Sequence, residues 1–123
     1  FKTYMREEIN LKILDKKITI SELQGMEEYF DYMSKAVVDI EKNVIAVDAE
    51  LHSDLEELLL ENGSNQKALY GINIIFEESD IEFDSMINPP RNREAGFPRV
   101  GREVADPKIR EKIKEIVHKW IEM

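Results

Sequence analysis

Apolar positions along the chain fall into two periods. Leu23, Met26, Phe30 and Met33 recur at helical spacing behind Ser21-Glu22-Leu23-Gln24, a start in which the Ser hydroxyl and the Gln24 amide would satisfy free backbone groups. That pattern predicts a first helix. The period then drops to two. Ala36, Val38 and Ile40 alternate with Val37, Asp39 and Glu41, and Ile45, Val47, Ala49 and Leu51 alternate with Val44, Ala46, Asp48, Glu50 and His52. Lys42-Asn43 between them predicts a tight turn, because Asn tolerates a left-handed backbone. Setting Glu41 opposite Val44 pairs Ile40 with Ile45 and Val38 with Val47, which puts both apolar sets on one face.

Ser53-Asp54-Leu55-Glu56 is a second helix start, carrying a short helix to Asn62 with Leu55, Leu58 and Leu59 inward and Gly63 as a left-handed cap. A competing reading begins this helix at Asp48 and takes His52 into it. A second hairpin is expected over 69–76 and 81–88, turning through 77–80. Pairing Phe76 with Ile81 in it sets Asn73 opposite Asp84 on the polar face. Residues 8–14 alternate as an edge strand or docked arm, and a short strand is expected over 100–104. Asp106-Pro107 starts the last helix, with Asp as cap, Pro in the first turn and an apolar stripe of Ile109, Ile113, Ile116, Val117 and Trp120. The sum is a single α+β domain over 1–123. Two hairpins form its antiparallel sheet, the helices pack on one face, and the other face is left to solvent or a partner.

Composition narrows the class. The chain has 123 residues, 42% hydrophobic and 35% charged, which describes one globular domain with a modest core. No apolar run approaches the ~20 residues of a bilayer span, so no membrane segment is expected. Phe1 to Tyr4 offer neither an apolar signal core nor a cleavage site; they read as a remnant or cut end, with Met5 as the first candidate start. Absence of cysteine removes disulfides, thiol nucleophiles and Cys-based metal sites, and fits a reducing cytoplasm. Abundant Lys and Glu lean toward a thermophile.

Charge is uneven. The net value is −9, which argues against a nucleic-acid binder, yet 89–104 carry a local +2 and leave −11 elsewhere. The stretch 88–107 holds four of the six arginines (Arg91, Arg93, Arg99, Arg102) and all four prolines. It reads as a basic loop, expected over 89–105.

Three ordered groups of residues then resemble a known pattern. Glu50-Leu51-His52-Ser53-Asp54 and Leu59 to Gln66 come first, Tyr70-Gly71-Ile72-Asn73 and Ile81 to Asn88 follow, and Asp106-Pro107-Lys108-Ile109-Arg110 closes the set. Together they resemble a small prokaryotic family of domains of unknown function, from about Ile18 to the C-terminus. The resemblance implies no activity and carries over no functional residue.

Two clusters are candidates for chemistry. Asp39, Asp48, Glu50 and His52 share a polar strand face in the expected register, with Asp54 just beyond. A His among carboxylates suits a general base or a divalent metal, so Glu50, His52 and Asp54 are the catalytic candidates. The competing reading is a solvated face. No spaced His pair exists, His118 sits late on the last helix where positive charge is favoured, and no metal or cofactor is expected. Gly63-Ser64 and Gly71 do not make a phosphate loop, and no serine has a nucleophile-elbow context. The second cluster is Asn73, Asp84 and Asn88 beside Arg91 and Arg93. Arginine's planar fork suits carboxylate or phosphate, so a small anionic ligand is expected there. The competing readings are that these arginines pair with the chain's own carboxylates, or bridge to a second copy in a homodimer. Rings do not interleave with the arginines, apart from Phe97, so nucleic acid is not expected. The leading expectation is a binding or self-associating domain; the alternative is a small enzyme at Glu50, His52 and Asp54.

Overall fold

A computed structural model describes residues 12–97 and 101–123. Its elements run β1 (Ile18–Thr19), α1 (Ile20–Met26), β2 (Met33–Asp39), β3 (Val44–Val47), α2 (His52–Glu61), a 3-10 turn (Gln66–Ala68), β4 (Leu69–Ile75), β5 (Asp80–Glu82), α3 (Asn88–Glu94), α4 (Pro107–Trp120) and β6 (Ile121–Glu122). The main sheet is four-stranded, in the order β3-β2-β4-β5 and antiparallel throughout, and β1 pairs with β6 in parallel. The fold is α+β, as the periods imply.

The first helix is shorter than expected and starts earlier. Thr19, not Ser21, is its cap: its Oγ1 accepts the Glu22 N–H at 3.0 Å, and its own N–H donates to Glu22 Oε1 at 3.0 Å. The helix stops at Met26, because Glu27 turns extended and its carboxylate takes the N–H groups of Tyr29 and Phe30. Met33 therefore opens β2 instead of closing a helical face.

Both hairpins keep the expected faces with a register shifted by two. Asp39, not Glu41, lies opposite Val44, since its Oδ1 accepts the N–H groups of Glu41 and Lys42 at 2.9 Å each and rounds the chain into a four-residue loop. Asn43 is left-handed at φ 59°, as its position in the turn requires. In the second hairpin Ile75 pairs with Asp80, so Asn73 faces Glu82, not Asp84. A shift of two preserves which side chains point inward.

Helices cover both faces of the sheet, not one. Ala36, Val38, Ile45, Val47, Ile72 and Ile74 pack with Leu23, Ile113, Ile116 and Val117. On the other face Val37, Ala46 and Leu69 pack with Leu55 and Leu59 of α2 and with Ile87. The central strands are apolar on both sides, as strands buried on two faces must be. Val37, grouped above with polar neighbours, and Leu69 are fully buried. Burying Leu55 and Leu59 contributes about 1.5–3 kcal/mol each.

The expected strand over 8–14 is described only from Lys12. There it lies antiparallel against the β3 edge, with Leu14 N–H to Ile45 C=O at 3.0 Å and Val47 N–H to Lys12 C=O at 2.8 Å. The strand over 100–104 is described from Gly101; Val104 N–H donates to Phe83 C=O and Ser85 N–H to Arg102 C=O, which extends the sheet beyond β5.

Candidate functional site

The arginine-rich stretch is not a loop where it begins. Pro89 and Pro90 occupy the first turn of α3, positions where a missing N–H costs nothing. Three residues of α3 are buried and reach backbone. The Asn88 side chain accepts the Gly71 N–H at 2.8 Å and donates to the carbonyls of Gly71 and Arg102 at 3.0 and 2.9 Å. An amide side chain thus stands where a neighbouring strand would pair with β4. Asn92 donates to Glu103 C=O at 2.7 Å and accepts the Ala105 N–H at 3.1 Å. Arg91 donates to the carbonyls of Gln66 and Leu69 at 3.1 Å each and of Ile87 at 3.2 Å, and forms an ion pair with Glu56 of α2. Burial pushes the Arg91 pKa down, and Glu94 opposes that shift. Asn88 and Arg91, expected around a ligand, are engaged inside the fold. The paired prolines were the signal for this helix. Arg93 is exposed at its far side, and Arg99 lies outside the described residues.

The carboxylates and histidine expected on one strand face are dispersed. The strand ends at Val47 because Asp48 takes a left-handed φ of 68°, and His52 then becomes the first residue of α2. Asp39 caps its own turn and accepts the Ser64 hydroxyl at 2.6 Å. Asp48 is buried against Lys12 at 2.7 Å and accepts the Glu28 N–H at 2.9 Å. Glu50 is exposed, and Asp54 lines a hollow of about 470 Å³ with Lys12, Glu28 and Glu57, which His52 does not reach. That hollow's buried carboxylate, Asp48, already holds a cation, Lys12. Among the described residues no group of three His, Asp or Glu is placed to hold a metal.

His52 instead joins Asn73 and Asp84 in a second cleft, about 370 Å³, lined also by Lys35, Glu82, Ser85 and Arg102. Its floor is a row across three strands: Lys35 of β2 is the register partner of Asn73 on β4, which is the partner of Glu82 on β5. Gly71 sits one row further in. A Cβ there would meet Ser85 Cβ and Oγ at 2.4 Å and His52 Cδ2 at 3.2 Å, so only glycine lets the ring and the serine close over the sheet. The His52 Nε2 lies 2.7 Å from Ile72 C=O; a carbonyl only accepts, so Nε2 carries the proton and Nδ1 is left bare in the neutral ring. Burial pushes the His52 pKa down, with Lys35 adding to the shift and the Ile72 carbonyl, Asp84 and Asn73 opposing it. Asn73 is buried, donates from Nδ2 to Glu82 Oε1 at 2.8 Å, and its Oδ1 has no partner among the described residues. At the rim Arg102 holds Asp84 through two bonds, at 3.2 and 2.6 Å. Lys35 forms no ion pair among the described residues; its ammonium lies 5.2 Å from the centre of the Phe30 ring. Tyr32 and Met86 stand exposed at the mouth.

These elements fall within a stretch, residues 12–120, that matches the family model described as Protein of unknown function (DUF5674). The chain belongs to this family. No curated protein and no solved structure matches it. The DUF5674 match takes in the Lys12 strand, the α3 clamp and the cleft together. Lys35 and Arg102 were not singled out for the cleft beforehand. The signal for Lys35 was a lone cation inside the apolar run of β2.

Proposed function

We propose that this DUF5674 protein is a binding domain whose cleft over β2, β4 and β5 takes a small ligand bearing an anionic group. The carrying observation is Lys35: a half-buried lysine lining the cleft, without a carboxylate partner among the described residues, in register with a buried polar floor. An ammonium there attracts an anion at a site shielded from bulk water, where attraction exceeds its value in water. Arg102, already paired with Asp84, stands across the rim. The cleft's size falls in the range of small-molecule sites, roughly 300–1,000 Å³. Self-association through the arginine segment has less support, because Arg91 and Arg102 are both engaged within the chain.

The test is a thermal-shift titration with small carboxylates and inorganic phosphate, on the protein and on Lys35→Met. Ligand at ~100 times its dissociation constant stabilises by about 2.7 kcal/mol. A rise in melting temperature that Lys35→Met removes supports the reading. An equal rise in both proteins contradicts it.

A further inference from the structure

Two acceptors in the cleft, Asn73 Oδ1 and His52 Nδ1, have no donor among the described residues. The identity of the Asn73 amide is fixed by its neighbours: Nδ2 points at the Glu82 carboxylate at 2.8 Å and the Asp84 carbonyl at 3.4 Å, so the oxygen is the atom left over. Asn73 is only 5% exposed, and a buried acceptor left bare is unfavourable. The His52 ring is fixed by Ile72 C=O, which places its bare nitrogen at Nδ1. Asn73 and that ring line the same cleft. Two acceptors cannot satisfy each other; only an N–H or O–H group brought from outside can. Next in the same row stands Lys35, on the neighbouring strand. Adjacent strands lie about 4.8 Å apart, so Lys35 and Asn73 leave the sheet side by side and line one cleft.

Resting on the binding function proposed above, we infer that the ligand is a small zwitterion of the amino-acid type. Its ammonium N–H donates to Asn73 Oδ1 and His52 Nδ1, and its carboxylate faces Lys35. Glu82, behind the Asn73 amide, adds a favourable charge for the ammonium. The exposed Tyr32 and Met86 at the mouth give an apolar side chain a surface to lie on. A plain carboxylate would satisfy Lys35 and leave both acceptors bare. A plain amine would do the reverse.

The experiment compares matched pairs by calorimetric titration: L-alanine against propionate, and L-phenylalanine against 3-phenylpropionate. Each amino acid is expected to bind at least about ten-fold more tightly than its partner lacking the amine, the size of one charged hydrogen bond. Asn73→Leu should reduce that preference, and Lys35→Met should weaken both members of each pair. The ligand pairs need no variant, so the result stands if Asn73→Leu fails to fold. Equal binding of the two members overturns the zwitterion and leaves the anion site standing. No binding of either member overturns both.

Discussion

Single side chains in this protein often do the work of a strand or a cap. Asn88 is the clearest. Replacing it with Ala leaves the buried Gly71 N–H and Gly71 carbonyl without their partner and takes one of two donors from the Arg102 carbonyl. At about 1–3 kcal/mol for each lost partner, Asn88→Ala should cost at least about 2 kcal/mol in urea unfolding. A loss under half that would show that water replaces the amide. Gly71→Ala should destabilise by about 1–3 kcal/mol through overpacking against Ser85, and Ser85→Gly in the same chain should recover part of it. Equal losses in both backgrounds would remove the clash as the cause. His52 gives a pH dependence. Its folded pKa lies below the ordinary 6.5, so as pH falls past that value the unfolded chain takes up a proton before the folded one does. Stability should therefore drop from about pH 6.5 down to the folded pKa. His52→Gln, whose amide still donates to Ile72 C=O, should flatten that limb. An unchanged limb would assign the effect to other groups.

The elements show which local rules were decisive and which were overridden. Faces were legible because parity survives a slip of two, so Val38, Ile45, Ile72 and Ile74 were placed on the correct side even though both registers were displaced. The displacement came from the Asp39 side chain, which closes a longer turn than Lys42-Asn43 suggests. The end of β3 was not legible, because it depends on Asp48 adopting φ 68° to meet Lys12 and the Glu28 N–H, contacts from 36 and 20 residues away. The candidate site followed the same logic. Asn73 and Asp84 were found from their strand, and His52 joined them only because the chain breaks at Asp48. Helix α3 holds the segment beyond it through Asn92, so Asn92→Ala should speed hydrogen exchange at Ala105 and Val104 while the amides of β2 stay protected. Uniform acceleration would mean that α3 supports the whole fold instead.

At the scale of the whole molecule, two helical layers enclose one antiparallel sheet, and both of its faces are buried at the centre. The α2 layer does not reach the far ends of β2 and β4, so Lys35, Asn73 and Glu82 form a polar row at the open end of an otherwise apolar face. The net charge of −9 disfavours anions at long range, so an anion held here must be recognised locally, by Lys35 and the groups around it. The most direct measurement is amide-resolved NMR of the labelled protein during titration with L-alanine and then with propionate. The account predicts saturable shifts confined to Lys35, His52, the Asn73 side-chain amide and Arg102. Shifts centred on Arg93 and the exposed side of α3, or none at the cleft, would contradict it.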